Sequence, residues 1–411
     1  MDWERIKAMR PLEGIKVLDF TQAHAGSLST MLLADFGAEI IKIERAGIGD
    51  LARYWEPLKE DCSGYYAFLN RNKSSISLNA FSEEGRQILY KLVKEVDVVC
   101  ENFKYGSMQR MGLDYDTLKQ INPGIIYASL NGFGQTGTMK NAIGLDLQLQ
   151  AMSGLMDRTG FPDGPPTRVG AAFGDHLSGT YMAMAINLAL INKKKTGIGQ
   201  RIDIAILDSL CSVLEDSPVT QSLKGEIHER TGNRYLSLAP YDTFKTKDGY
   251  LSVAVSTDKQ WQSFCLALDL DDLANDRIYR TNEGRVDNYD KGLKRILAQR
   301  FINLSKVEAE ARLLAAGIPC ARVYSVKEAM ASEQILEREM LIEVDDKAVG
   351  KIKFPGIAIK MSKTPGRVVR TAPRLGEQTR KYLSELGLSP IQINDLIKSK
   401  VVEAPLEGVI G

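Results

Sequence analysis

Hydrophobic and polar positions in the first 200 residues alternate between two periods. Ile15–Phe20 (IKVLDF) and Glu39–Ile43 (EIIKI) are short β-branched runs, and between them Leu28–Phe36 is an apolar helical stretch that stops at Gly37. Together they predict a compact βαβ unit. The alternation continues with a strand at Ser75–Leu78, a helix at Ser82–Val93, a strand at Val96–Cys100, a helix near Tyr115–Ile121 halted by Pro123, and a strand at Ile125–Leu130. Strands that alternate with helices imply a parallel sheet covered on both faces.

Right-handed crossovers make this an open, Rossmann-like parallel sheet, with ligands expected at the carboxyl ends of its strands. The texture changes after about Pro218. Tyr241–Phe244 and Tyr250–Val255, joined through Lys247, Asp248 and Gly249, predict a hairpin, and two helical segments follow between Thr257 and Ala316. This reads as a smaller α+β domain. The tail returns to strands near Met340–Val344 and Lys351–Ile359 and ends in helices around Glu377–Leu386 and Ile391–Ser399.

The 411 residues carry 53 Lys+Arg against 52 Asp+Glu, a formal net charge of +1. Such a balance supplies no global field for a polyanion, so neither nucleic acid nor an anionic membrane is an expected partner. Cys62, Cys100, Cys211, Cys265 and Cys320 lie far apart with no CxxC, which predicts neither a disulfide framework nor a structural zinc site. The N-terminal stretch lacks a signal-peptide pattern, and Tyr181–Ile191 (YMAMAINLALI) is too short to span a bilayer and reads as a buried helix. A cytoplasmic protein is expected.

The three histidines, His24, His176 and His228, show no metal-ligand spacing on one element, and no GxSxG occurs. Gly132–Gly137 matches GxGxxG after a strand, but a polar, Gly-closed loop follows it where a dinucleotide site needs an apolar helix. A loop needing positive φ is the expectation there. Asp175 sits between Gly174 and a helix from about Leu177 to Asn192, which suits a helix N-cap; beside an open glycine and the Thr159–Arg168 loop it also suits a carboxylate nucleophile toward a thioester. His24 follows the first strand, either as a loop histidine or as a donor to a developing oxyanion. Arg45, Arg53, Lys73, Lys104 and Arg110 fall in or near loops after successive strands, a candidate phosphate clamp.

Several motifs then align with one family. Pro11–Phe20 (PLEGIKVLDF), Leu33–Arg45 (LADFGAEIIKIER), Asn70–Leu78 (NRNKSSISL), Glu101-Asn102-Phe103 with Gly112-Leu113, Gly132–Gly137, Gln150–Gly154 (QAMSG), and Gly174-Asp175 with Ser178-Gly179 resemble the class III CoA-transferases, the CaiB/BaiF family. The match includes Lys195-Thr196-Gly197, Gly199-Gln200 and Gly317–Cys320, and covers nearly the whole chain. The resemblance implies a large domain built from residues 1–217 and 326–411, a small domain at 218–325, and two protomers interlocked as rings. It implies Asp175 as nucleophile and His24 as oxyanion donor in a ping-pong transfer of CoA from a short acyl-CoA to a small carboxylic acid through an aspartyl-CoA thioester. Ala25, Arg45, Asn102, Phe103, Arg110 and Met111 become CoA contacts, the CoA thioester is a substrate, and no metal or permanent cofactor is called for.

Two departures matter. His24 replaces the glutamine of the formyl-CoA transferase branch, and Thr231–Pro240 holds one glycine where that branch has a glycine run. Trp55, Tyr65, the Phe161–Thr167 loop and Gly284–Asp287 still resemble the branch that handles oxalate and other short acids, so a short mono- or dicarboxylate is the expected acceptor. The alternatives are an α-methylacyl-CoA racemase, disfavoured because Leu145 replaces the proton-carrying histidine of its Gly-His-Asp triplet, and a CoA-binding protein without catalysis.

Overall fold

The computed structural model describes residues 10–226, 229–346 and 349–405; His228 lies outside them. A seven-stranded sheet contains β1 (Lys16–Asp19), β2 (Glu39–Glu44), β3 (Ser74–Leu78), β4 (Val98–Glu101), β5 (Ile126–Asn131), β6 (Arg201–Ala205) and β7 (Val402–Glu403). Its spatial order is β7-β3-β2-β1-β4-β5-β6. All neighbours are parallel except β7, which runs antiparallel on β3. The chain therefore winds outward from β1 to β3, returns, and lays β4 to β6 on the other side. That reversal opens a crevice beyond the carboxyl ends of β1 and β4, where ligands bind in open α/β sheets.

The central strands are apolar because both faces are covered: Val17, Leu18, Val98, Val99 and Cys100 are fully buried. One face packs against α1 (Ala25–Asp35) and α5 (Phe173–Thr196); Leu149 of α4 (Asp146–Met152) joins that core, and Leu69 of α2 (Gly64–Leu69) packs with Leu28 and Met31 of α1. The other face is covered by α3 (Glu83–Lys94), whose Ile88, Leu89, Leu92 and Val93 share one core with Tyr382, Leu383, Ile393 and Val402 of the tail.

Two expectations are corrected here. Strand β6 escaped the sequence reading because Arg201-Ile202-Asp203 puts charges on an edge strand. Helix α5 begins at Phe173, before the expected Leu177, and is not buried all round: Met182, Ala183, Ile186 and Ala189 face the core while Met184, Leu188 and Ile191 are exposed.

The described residues divide into two compact units, the first containing 10–155, 169–216, 336–346 and 349–405, the second 156–168, 217–226 and 229–335. In the second, the expected hairpin Tyr241–Thr246/Gly249–Ala254 gains a third strand, Cys320–Arg322. Helices including Asp258–Ala267, Lys294–Phe301 and Lys306–Ala315 cover it around a core of Trp261, Phe264, Tyr289 and Phe301. More helices form than the two expected segments. The Thr159–Arg168 loop, assigned in advance to the large domain, belongs to this second unit, where Arg230 donates to Asp157 and to the Gly164 carbonyl.

Candidate active site

The loop after β1 is fixed residue by residue. Asp19 accepts from the Thr21 amide at 2.9 Å and hydroxyl at 2.6 Å, while Lys42 Nζ donates to the Thr21 carbonyl at 2.6 Å. Asn102, from the loop after β4, bonds both the Gln22 amide and carbonyl at 2.8 Å, and the Ala23 amide donates to Asp50 at 3.0 Å. These restraints hold Ala23 at φ 60°, a region sparsely used by residues other than glycine. The charges beneath are wholly buried: Lys42 pairs with Asp50 at 2.8 Å and Lys73 with Asp19 at 3.2 Å. Burial alone would raise the Asp19 carboxyl, but Lys73 and Lys42 outweigh it and hold it below its ordinary value.

His24 emerges from this clamp as the residue before α1. Its Nδ1 is hydrogen bonded to the Tyr65 hydroxyl, and Nε2 is buried with no partner among the described residues. Burial, reinforced by the neighbouring His176, pushes the imidazole down to about 4, so it is neutral at neutral pH; the charge of Asp146 opposes this. Trp55 meets Tyr65 edge-on at 5.4 Å between centroids, and His176 lies 6.0 Å from His24.

Asp175 is the third residue of α5, not its N-cap, which is Ala172. The capping assignment is corrected by Asp146, whose Oδ1 accepts from the Gly174 amide at 2.7 Å and from the Asp175 amide at 3.4 Å. Its Oδ2 accepts from Gln150 at 2.6 Å. Asp146 thus satisfies amides that a helix start leaves open, and the Asp175 carboxylate accepts no hydrogen bond among the described residues. Gly174 is required for this approach, since a Cβ there would lie 2.8 Å from Ile206 and 2.9 Å from Asp146. Burial pushes the half-buried Asp175 carboxyl up, and the Asp146 charge adds, to about 7. A Cβ on Gly179 would stand 2.5 Å from the Ala25 carbonyl, so only glycine lets α1 and α5 cross this closely. Their crossing brings together two N-terminal ends, which favour anions.

The remaining expected residues divide. Ala25 starts α1, and Phe103 packs partly buried with its amide on Glu101. Arg45, Lys104 and Arg110 are exposed, Arg110 bonding Ser107 at 2.9 Å. The Asn102 amide is committed to Gln22, and Met111 is core. Arg53 and Lys73 leave the proposed phosphate clamp: Arg53 binds Glu44 in a fork at 2.7 and 2.8 Å, and Lys73 is sealed against Asp19. In the GxGxxG segment Gly134 and Gly137 have φ 79° and 78°, and the Gly134 and Gln135 amides are taken by Asn131 and Asp203. Arg285 is fully buried in the second unit, bonded to the Ala239 carbonyl and Asp258, a structural placement.

Sequence reasoning missed the capping role of Asp146 and its partner Gln150, for which the i,i+4 spacing of two polar groups before the motif was a signal. The Tyr65–His24 pairing, across 41 residues, had none. Among the described residues no cluster of His, Cys, Asp or Glu could hold a metal, and no helix is long and apolar enough to cross a membrane.

Residues 12–379 match the family model described as CoA-transferase family III. The succinyl-CoA:glutarate CoA-transferase of Mus musculus is 38% identical over 398 residues, 96% of this chain and 91% of that protein. The acetyl-CoA:oxalate CoA-transferase of Acetobacter aceti is 36% identical over 379 residues, 90% and 95% of the two chains. A crystal structure of a CaiB/BaiF family protein from Brucella suis superposes with a TM-score of 0.83 at 35% identity, over 92% of this chain and 100% of that one.

Proposed function

Because this chain belongs to CoA-transferase family III, whose members use CoA thioesters as substrates, we propose that it moves CoA between a short acyl-CoA and a small carboxylic acid by covalent catalysis on Asp175. The observation that carries this reading is the Asp175 carboxylate itself, held at the start of α5 without a hydrogen-bond partner among the described residues while Asp146 caps the helix. Asp175 attacks the acyl-CoA carbonyl; the C–S bond breaks, leaving a mixed anhydride and CoA thiolate. The thiolate attacks the aspartyl carbonyl, the donor acid departs, and an aspartyl-CoA thioester remains. The acceptor carboxylate attacks that thioester and releases thiolate, which then takes the acceptor acyl group and restores Asp175. No net proton, ATP or metal enters the balance.

Each addition places negative charge on a carbonyl oxygen. The neutral His24, whose Nε2 has no partner among the described residues, and the two helix ends supply donors for it. Arg45 and Arg110 are exposed cations suited to the CoA phosphates. Leu145 offers no proton carrier, so nothing favours α-proton exchange.

Relatives named for glutarate and oxalate support a short dicarboxylate as acceptor, with succinyl- or acetyl-CoA as donor. The exposed row Met184, Leu188 and Ile191 supports a homodimer. Trapping with hydroxylamine or borohydride after incubation with acyl-CoA, followed by mass spectrometry, is expected to mark Asp175. An Asp175→Ala variant with normal turnover overturns the mechanism. A matrix of donors and acceptors tests the substrates: exchange confined to long or bulky acyl groups refutes the short-acid assignment alone. Light scattering at twice the chain mass is expected, and a monomer refutes the dimer.

A further inference from the structure

A buried imidazole nitrogen without a partner is costly in water-free surroundings, and proteins retain such atoms where a ligand supplies the missing bond. Among the described residues His24 Nε2 is such an atom, while Nδ1 of the same ring is engaged by Tyr65. The two nitrogens are linked, because whichever bond one makes decides where the proton resides on the other. A neutral ring has one proton. If Tyr65 donates to Nδ1, the proton is on Nε2 and the orphan atom is a donor; if Nδ1 carries the proton, Nε2 is a bare acceptor and repels a carbonyl oxygen.

The protein settles Tyr65 firmly. Helix α2 is capped by Ser63, which accepts from the Tyr66 amide at 3.1 Å. Tyr66 turns into the buried network, where its hydroxyl accepts from Arg53 at 2.6 Å and donates to Glu44 at 3.2 Å. The Arg53 guanidinium also covers the Tyr66 ring at 3.9 Å. With its neighbour so anchored, Tyr65 points the other way, between Trp55 and His24. Among the described residues its hydroxyl makes one side-chain hydrogen bond, to Nδ1.

We propose that Tyr65 is a positioning residue whose hydroxyl donates to His24 Nδ1 and locks the imidazole in its Nε2–H form, aiming one donor at the carbonyl oxygen of the thioester. This deepens, and rests on, the reading of His24 as oxyanion donor. The groups facing the pair are His176, Asp146 and Asp175. Burial and the Asp175 and Asp146 charges push the Tyr65 hydroxyl up to about 12. With His24 pushed down to about 4, the single-proton arrangement holds across the working pH range.

The chain has three histidines, so nitrogen-15 labelling of histidine gives a ring spectrum that a His24→Gln variant assigns. The expected result is a bare Nδ1 and a protonated Nε2 for His24 in the wild-type enzyme. Tyr65→Phe is expected to leave His24 in two exchanging tautomers and to lower kcat about tenfold with KM for the CoA thioester unchanged. A protonated Nδ1 in the wild-type enzyme overturns the proposal and also removes Nε2 as oxyanion donor, whereas a Tyr65→Phe enzyme with unaltered His24 resonances overturns the proposal alone. Full activity in His24→Ala sinks the oxyanion reading, and with it the purpose assigned to Tyr65, even if the tautomer is as drawn.

Discussion

Replacing Asp175 by Asn separates a helix cap from a carboxylate held at a cost. An N-cap aspartate stabilises its helix, and its loss to Ala costs roughly 1 kcal/mol. Asp175 is placed the other way: burial and Asp146 raise its carboxyl from 3.8 to about 7. At about 1.4 kcal/mol per pH unit, that gap bounds the cost of keeping the ionised form folded at ~4 kcal/mol. Because the side chain is half-buried, screening by solvent reduces the expected figure to ~1–2 kcal/mol.

The sign follows from linkage. A carboxyl with a raised folded pKa binds its proton more tightly in the folded state, so stability falls as pH rises from 3.8 to about 7 and levels off above. Asn keeps the shape and removes the charge. Denaturant titrations of both proteins at matched concentration between pH 4 and pH 8 are expected to give nearly coincident stabilities at the acid end. Asp175→Asn should become the more stable through neutrality, with a constant gap beyond it. Asp146→Ala, which strands the Gly174 amide and the Gln150 side chain, should lose ~1–3 kcal/mol. An Asp175→Asn enzyme that becomes the less stable of the two as pH rises, with Asp146→Ala unaffected, would refute the assignment of capping to Asp146.

The same ionisation predicts that kcat/KM rises with pH about a midpoint near 7. Asp146→Asn should move that midpoint downward by ~1 unit or less, since burial is the larger cause; an unmoved midpoint detaches the limb from Asp175. Arg110→Ala should raise KM for CoA thioesters roughly 3- to 10-fold with kcat and thermal stability intact, because among the described residues its side chain bonds only Ser107, at the surface; unchanged KM removes it from phosphate binding. Asp50→Ala leaves Lys42 as an unpaired buried charge and should cost ~3–5 kcal/mol in denaturant melts, a loss that Lys42→Met combined with Asp50→Leu recovers only in part, because the Ala23 amide and the Thr21 carbonyl stay without their partners. A mild single mutant would show that the pair does not clamp the β1 loop.

Periodicity exposed most of the large sheet because its inner strands are buried on both sides and read as continuous β-branched runs, as Ile40, Ile41 and Ile43 do in β2. It failed at β6, where an edge strand tolerates Arg201 and Asp203, and at the start of α5, where Asp146 arrives from another helix to bind the Gly174 and Asp175 amides. Asp175 and His24 could be singled out because each follows a recognisable local signal, a glycine before a helix and a loop after a first strand. Their protonation could not, because Asp146, His176 and Tyr65 reach them through tertiary approach.

The misreading of Arg53 and Lys73 has the same origin in the topology. A parallel sheet delivers the ends of all its strands to one edge, so the loops that collect cations for a phosphate also collect strand-end carboxylates. Asp19 and Glu44 end β1 and β2, and they absorb Lys73 and Arg53 before any ligand arrives. Only cations beyond that first ring, such as Arg45 and Arg110, remain at the surface. The buried ion pairs then act on the site indirectly: Lys42 and Asp50 fix the Thr21–Ala23 backbone, and Glu44 with Arg53 fixes Tyr66 and so α2. Both paths end at His24, one through its backbone and one through Tyr65. Arg53, first assigned to binding phosphate, is thus placed with these buried charges to hold the proposed oxyanion donor in position.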